Sequence, residues 1–186
     1  MLSGRAWTAR YPTSNSTADL ADGFRTKAER FLAALTAAGA ARHISATLRP
    51  PKRAFLMHYA YRIAVEGLDP AEVPAHPEID IQWVHMKDDE PDLLASQAAA
   101  REMVRAYQIV DRPVLTSRHI EGLAMDVTIS WTGDLTILLP DTTQRTITTL
   151  PRTGMNAELK AVGQAYGVIK SRRGAKDPPH WSNDGY

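Results

Sequence analysis

The stretch Ser117-Arg118-His119-Ile120-Glu121-Gly122-Leu123-Ala124-Met125-Asp126-Val127-Thr128-Ile129-Ser130 decides how the chain is read. From Leu123 onward, Leu123, Met125, Val127 and Ile129 alternate with Ala124, Asp126, Thr128 and Ser130. That period of two is the mark of a strand with one buried face. Asp126 therefore stands opposite the large apolar residues, beside the small Ala124. His119 precedes the strand, and Gly122 lets the chain bend between the two. Neutral imidazole and carboxylate are both zinc ligands, and a catalytic zinc site commonly takes three protein ligands plus water. This stretch supplies two, so a third is expected elsewhere.

Lys176-Asp177-Pro178-Pro179-His180-Trp181-Ser182 offers it. The paired prolines predict polyproline II, whose turn of about three residues puts Asp177 and His180 on one side. His180 can then complete the metal site, and Asp177 can sit beside the metal's water as general base.

The pattern Ser117-x-His119-x-x-Gly122-x-Ala124-x-Asp126, followed far downstream by an acid-x-x-His ending in His180, resembles the zinc D-alanyl-D-alanine peptidases. These belong with the L-alanyl-D-glutamate phage endolysins and the hedgehog signalling domain in the LAS metallopeptidases, whose peptidase members cleave peptidoglycan stem peptides. The resemblance implies that His119, Asp126 and His180 bind zinc and that Asp177 is the catalytic carboxylate. The first motif matches at each defining position. The second departs from the commonest form, in which glutamate and tryptophan precede the histidine: here Asp177 and two prolines precede it and Trp181 follows. Aspartate at this place is reminiscent of the endolysin branch. Residues 40 to 186 carry the resemblance, with a long unmatched middle portion.

A second element of the resemblance is a strand ending in arginine that passes into a helix. His43-Ile44-Ser45-Ala46-Thr47-Leu48-Arg49-Pro50-Pro51 reads as a strand ended by prolines, and Phe55, Leu56, Tyr59 and Ile63 mark a helix stopping at Gly67. In the family such an arginine holds substrate or the developing oxyanion, which implies that role for Arg49. A guanidinium can clamp a carboxylate or a carbonyl oxygen in a dry cleft. A surface arginine at a strand end is the plainer alternative, and Arg53, Arg62 and Arg118 are rivals.

Composition sets the outer limits. The 186 residues carry 22 basic and 21 acidic side chains, so no overall charge points to nucleic acid. With 0 cysteines, disulfides and thiolate metal sites are excluded, and any zinc must be held by nitrogen and oxygen. No apolar run approaches the ~20 residues that span a bilayer, so membrane insertion is not expected. Met1-Leu2-Ser3-Gly4-Arg5-Ala6-Trp7 lacks the apolar heart of a signal peptide, so action in the periplasm or cell wall would need cytoplasmic synthesis and another delivery route. A delivery system or an immunity protein is therefore a candidate partner beside the stem peptide.

The remaining elements follow from local pattern. Residues 1 to 18 read as an irregular arm. A helix follows, capped by Ser16 or Thr17, with Leu20, Phe24, Ala28, Phe31, Leu32 and Leu35 on one face and a stop at Gly39. Residues 68 to 91 are proline-rich, with a strand-like Ile79–His85; Trp83 and His85 are candidates to line a substrate cleft there. Asp92 to Tyr107 is alanine-rich and helical, and Val114–Thr116 is a short strand entering the metal motif. Trp131–Asp134 reads as a hairpin turn returning through Leu135–Leu139, with Thr142–Thr149 as an added edge. Asn156 caps a helix carrying Leu159, Val162 and Tyr166, which Gly167 ends before the strand Val168–Lys170. His43, His58, His76 and His85 read as structural, Glu121 as solvent-facing, and Arg172–Lys176 as a solvated basic loop.

The expected fold is α+β: a small antiparallel sheet carries the zinc site, with helices packed on one face. Residues 19–186 are expected to form a single domain, with residues 68–112 as a divergent insertion. The expected activity is hydrolysis of a stem-peptide bond, as endopeptidase or D,D-carboxypeptidase, using a zinc-activated water with Asp177 as base. Two other readings keep the fold: a non-catalytic zinc-containing wall-binding module, and a cytosolic D-Ala-D-Ala dipeptidase.

Overall fold

The computed structural model describes residues 1–186. Its regular elements run α1 (Asp22–Ala37), β1 (Ala41–Ala46), α2 (Pro51–Val65), β2 (Met86–Lys87), β3 (Glu90–Pro91), α3 (Leu93–Ala106), β4 (Ala124–Ser130), β5 (Leu135–Leu138), β6 (Gln144–Ile147), α4 (Ala157–Ala165), β7 (Ile169–Lys170) and β8 (His180–Ser182). The fold is α+β. No helix is long and apolar enough to cross a membrane.

The chain divides into two compact units, Met1–Pro12 with Pro50–Leu115, and Thr13–Arg49 with Thr116–Tyr186. These bounds differ from the expected arm over 1–18 and domain over 19–186. The reason is long-range: Trp7 is buried in the first unit's core, and Ser3 N–H donates to the Gln82 carbonyl at 2.9 Å. No local pattern announces such contacts.

In the second unit, the sheet order is β1-β4-β8-β7, and each neighbouring pair is antiparallel. The alternation of β4 is realised: Met125, Val127 and Ile129 are buried in the core with Phe24, Phe31 and Leu35 of α1 and Leu159 and Val162 of α4. Burial of each such side chain contributes about 1.5–3 kcal/mol before entropy is subtracted. Met125 pairs with Trp181, which is fully buried on the same face, its ring 5.3 Å from that of Phe31. Close approach of α4 depends on a small residue, since a Cβ at Gly163 would meet Trp181 Cζ3 at 2.6 Å. The sheet therefore has a helix-covered apolar face and a second face free for polar groups.

The first unit packs α2 against α3 around Leu56, Ile63, Ala100 and Met103. Its strands β2 and β3 are two residues each. Ile79 and Trp83 are buried in this core. Ile79–His85 is irregular rather than a strand. His85 Nε2 meets Ser3 Oγ at 3.0 Å, and His58 Nδ1 donates to the Pro113 carbonyl at 2.7 Å. These partners suit the structural reading of both histidines.

Several local readings are corrected. Ser16 does cap, but it caps a short 3-10 turn at Thr17–Asp19, and α1 begins only at Asp22. Val114–Thr116 is not a strand. Trp131–Asp134 is not a hairpin turn between paired strands: β5 pairs with β6 in a separate two-stranded sheet, and β4 lies between β1 and β8. Period alone marks both as strands but carries no information on partners. Asn156 caps α4 as read, its side chain accepting from the N–H groups of Glu158 and Leu159, and Asp92, read only as the start of the helix, caps α3 by accepting from Ala95 N–H.

Candidate metal centre

The polar face of the sheet is built by register. Asp126 pairs with His180 across β4 and β8, so the carboxylate and the imidazole project from the same face. His119 reaches that face from the turn before β4. Its path depends on Gly122, which has φ +69° and passes so close to the chain that a Cβ would meet Ala21 N at 2.9 Å. The Gly122 carbonyl there accepts from Ala21 N–H at 2.9 Å. Any other residue at this position would be strained in both respects.

Three ligand atoms converge. His119 Nε2 lies 3.1 Å from His180 Nδ1 and 3.2 Å from Asp126 Oδ1, and His180 Nδ1 lies 3.3 Å from the same oxygen. Both histidines are buried and Asp126 is half-buried. A tetrahedral zinc with ligands at about 2.0–2.1 Å requires ligand–ligand edges of about 3.3–3.4 Å, so the triangle has nearly the right size as it stands.

The outer hydrogen bonds fix which nitrogens face inward. His119 Nδ1 donates to the Thr47 carbonyl at 2.7 Å, and His180 Nε2 donates to the Tyr186 main-chain oxygen at 3.0 Å. A carbonyl has no proton to give, so each ring spends its N–H outward. The two facing nitrogens are left with lone pairs turned toward each other and toward a carboxylate. Such a cluster needs a cation or a proton at its centre, and the nitrogen and oxygen donors suit a metal ion.

The titration behaviour has the same origin. Burial would push Asp126 upward, but hydrogen bonds and charge from His119 and His180 outweigh it and hold the carboxyl well below the usual range. Burial would push His180 down, but the Asp126 carboxylate, the Tyr186 carbonyl and the charge of Asp177 raise it on balance.

Asp177 Oδ2 stands 3.9 Å from His180 Nδ1, beyond hydrogen-bond length, with its side chain 30% exposed. The Asp177-Pro178-Pro179-His180 segment reaches this result by a different route from the polyproline helix expected. It is a turn, in which His180 N–H donates to the Asp177 carbonyl at 3.4 Å. The expected consequence, acid and histidine on one side, survives the change of conformation.

Of the candidate arginines, Arg118 is committed to Glu121 at 2.6 Å and to Asp184. That pairing also accounts for Glu121. Arg62 pairs with Glu66 at 3.5 Å, and Arg53 lies over the Tyr107 ring and donates to the Thr8 carbonyl at 3.3 Å. The half-buried Arg49 differs: its N–H donates to the His119 carbonyl at 3.0 Å, while its guanidinium has no hydrogen-bond or ion-pair partner.

Three residues around the centre were invisible in the sequence. Buried Lys170 donates through Nζ to the carbonyls of Pro178 and His180 and so braces the turn that carries Asp177. Burial pulls its ammonium down to about 8, against the opposing charges of Asp177 and Asp126. Asp184 and Tyr186 hold the far side of His180. None of the three lies in a periodic or spaced pattern, so no local signal marks them.

No family model and no curated protein matches the chain. Among solved structures, it is similar to a zinc-bound crystal structure of a variant of the vancomycin-resistance D,D-pentapeptidase VanY from a VanB-type resistance cassette. The match has 13% identity and a TM-score of 0.38, over 98% of this chain and 85% of that one. The overlap is loose, and what this centre can do is decided by its own side chains.

Proposed function

We propose that the unit formed by residues 13–49 and 116–186 is a zinc-dependent peptidase acting on peptidoglycan stem peptides, as endopeptidase or D,D-carboxypeptidase. One observation carries the reading: two inward-facing imidazole lone pairs and a carboxylate converge, with a second carboxylate beside them that belongs to no ion pair closer than 3.9 Å. A purely structural site has no use for that fourth group.

His119 Nε2, Asp126 Oδ1 and His180 Nδ1 would hold the zinc. When bound, zinc lowers the pKa of water toward ~7 and polarises a carbonyl. Asp177 takes the proton of the attacking water and returns it to the leaving amine. The unpartnered Arg49 guanidinium binds the developing oxyanion or a substrate carboxylate. The choice of stem peptide rests on the first motif's resemblance to the zinc D-alanyl-D-alanine peptidases.

The test is digestion of purified sacculi and of a soluble pentapeptide stem by zinc-loaded protein, with mass spectrometry of the products. New termini within the stem support the reading and identify the bond. Tightly held zinc with no cleavage of either substrate would replace it with a non-catalytic zinc module.

A further inference from the structure

We infer that the segment Asp184-Gly185-Tyr186 is the positioning device for His180, selecting the ring tautomer that turns Nδ1 toward the metal. The inference rests on the metal site proposed above and goes beyond its ligands.

The geometry forms a closed chain of contacts. The Tyr186 main-chain oxygen accepts from His180 Nε2 at 3.0 Å. Tyr186 N–H in turn donates to Asp184 Oδ1 at 3.1 Å, so Asp184 fixes where that oxygen sits. The other carboxylate oxygen, Asp184 Oδ2, accepts from Arg118 Nε at 3.0 Å. Arg118 is the immediate neighbour of His119. One carboxylate thus ties the two histidine-bearing segments together, although they are far apart in sequence.

The hook is held in place from its other side. Gly185 N–H donates to the fully buried Ser182 Oγ at 2.8 Å, and Arg172 N–H donates to the Gly185 carbonyl at 2.9 Å. Gly185 has φ +84° and a Cβ there would meet Lys170 O at 3.1 Å, so the reversal that returns Tyr186 toward His180 needs glycine. The Tyr186 ring is exposed, and its contact with Arg172 is at the surface. Its main-chain oxygen, not its side chain, does the positioning.

Partners of this kind orient a ligand and raise its basicity, and their loss typically weakens metal binding ten- to a hundred-fold. Two variants test the device, removal of Tyr186 and Asp184→Ala, with zinc affinity measured by competition against a chromophoric chelator. Both should bind zinc about ten- to a hundred-fold more weakly, while the metal-free proteins keep the circular dichroism of the parent. Asp184→Asn keeps an acceptor for Tyr186 N–H and should fall between parent and Asp184→Ala. If removal of Tyr186 prevents folding, Asp184→Ala decides, and parental zinc affinity in that variant overturns the inference.

A second readout needs no metal. Ring ¹⁵N shifts of His180 in the metal-free protein, read at a pH where the ring is neutral, should show its one proton on Nε2 in the parent and a mixture of tautomers without Tyr186. An unchanged tautomer in the truncated protein overturns the inference. Failure of the parent to bind zinc would instead remove the proposed function and leave the tautomer result to judge the hook.

Discussion

The two units of this chain build cores of similar materials and put them to different use. In the unit of residues 1–12 and 50–115, α2 and α3 close on Leu56, Ile63 and Met103, and polar side chains such as His58 and His85 are each satisfied by one protein partner. In the unit of residues 13–49 and 116–186, β4 spends Met125, Val127 and Ile129 on the core and turns Asp126 to the other face. There His119 and His180 have their outer nitrogens satisfied and their inner ones aimed at each other. A one-sided sheet is what allows this: its core face supplies stability, so the opposite face can hold groups that favour a ligand over each other.

The largest effect separating the units is on the metal. His119→Ala, Asp126→Ala or His180→Ala should each remove tight zinc binding and activity, since two ligands are too few. Met103→Ala in the other unit, a fully buried side chain, should cost about 2–5 kcal/mol of stability without changing zinc affinity in the folded protein. Stoichiometric zinc in a ligand variant after dialysis, measured by elemental analysis, would strike that residue from the set. Zinc loss in folded Met103→Ala would break the distinction between the units.

Asp177→Asn comes next. Asparagine keeps the shape but cannot take a proton near neutral pH, so turnover should fall ~10²–10⁴-fold with zinc retained. Near-parental turnover would move the base elsewhere. Zinc loss in this variant would make Asp177 a ligand or a support for His180.

Arg49→Ala should lower kcat/KM on the order of 10²–10³-fold at constant zinc content. The same change at Arg118 reads differently, because Arg118 is engaged with Asp184 and should act on zinc affinity first. Parental turnover in Arg49→Ala would return that residue to the surface.

The smallest effect is the pH dependence of stability. In the metal-free protein, Asp126 is depressed, so its contribution is present above the ordinary carboxylate pKa near ~4 and is lost as pH falls below it. His180 is raised, so its contribution is full below ~6.5 and is lost as pH rises through the elevated value. Denaturant melts should therefore show a metal-free optimum between ~4 and ~6.5, which added zinc extends upward by taking the proton's place. In the first unit a signal is expected in alkali. Burial pushes the Tyr107 phenol up to about 12, partly opposed by Arg53, so its contribution is lost between ~10 and that value. A metal-free optimum above pH 7 would contradict the pairing of Asp126 with His180.

How much was legible follows the same division. The strand carrying Asp126, the cap Asn156 and the core face of α1 were readable, because each is a local pattern with a local cause. The gathering of His119, Asp126 and His180 was readable from spaced motifs. Strand partners were not: Leu135–Leu138 looks like the return of β4 and pairs instead with Gln144–Ile147. Nor was the joining of Trp7 to the core of residues 50–115, nor the support given to His180 by Lys170, Asp184 and Tyr186. These are single contacts made by folding over long range, and a linear pattern does not carry them.

X-ray absorption at the zinc edge of the parent protein, with metal content measured on the same sample, tests the centre most directly. One zinc per chain is expected, with a nitrogen and oxygen shell at about 2.0–2.1 Å and the outer-shell scattering of imidazole. Absence of tightly held zinc, or an oxygen-only shell without imidazole scattering, would contradict a centre made by His119, Asp126 and His180.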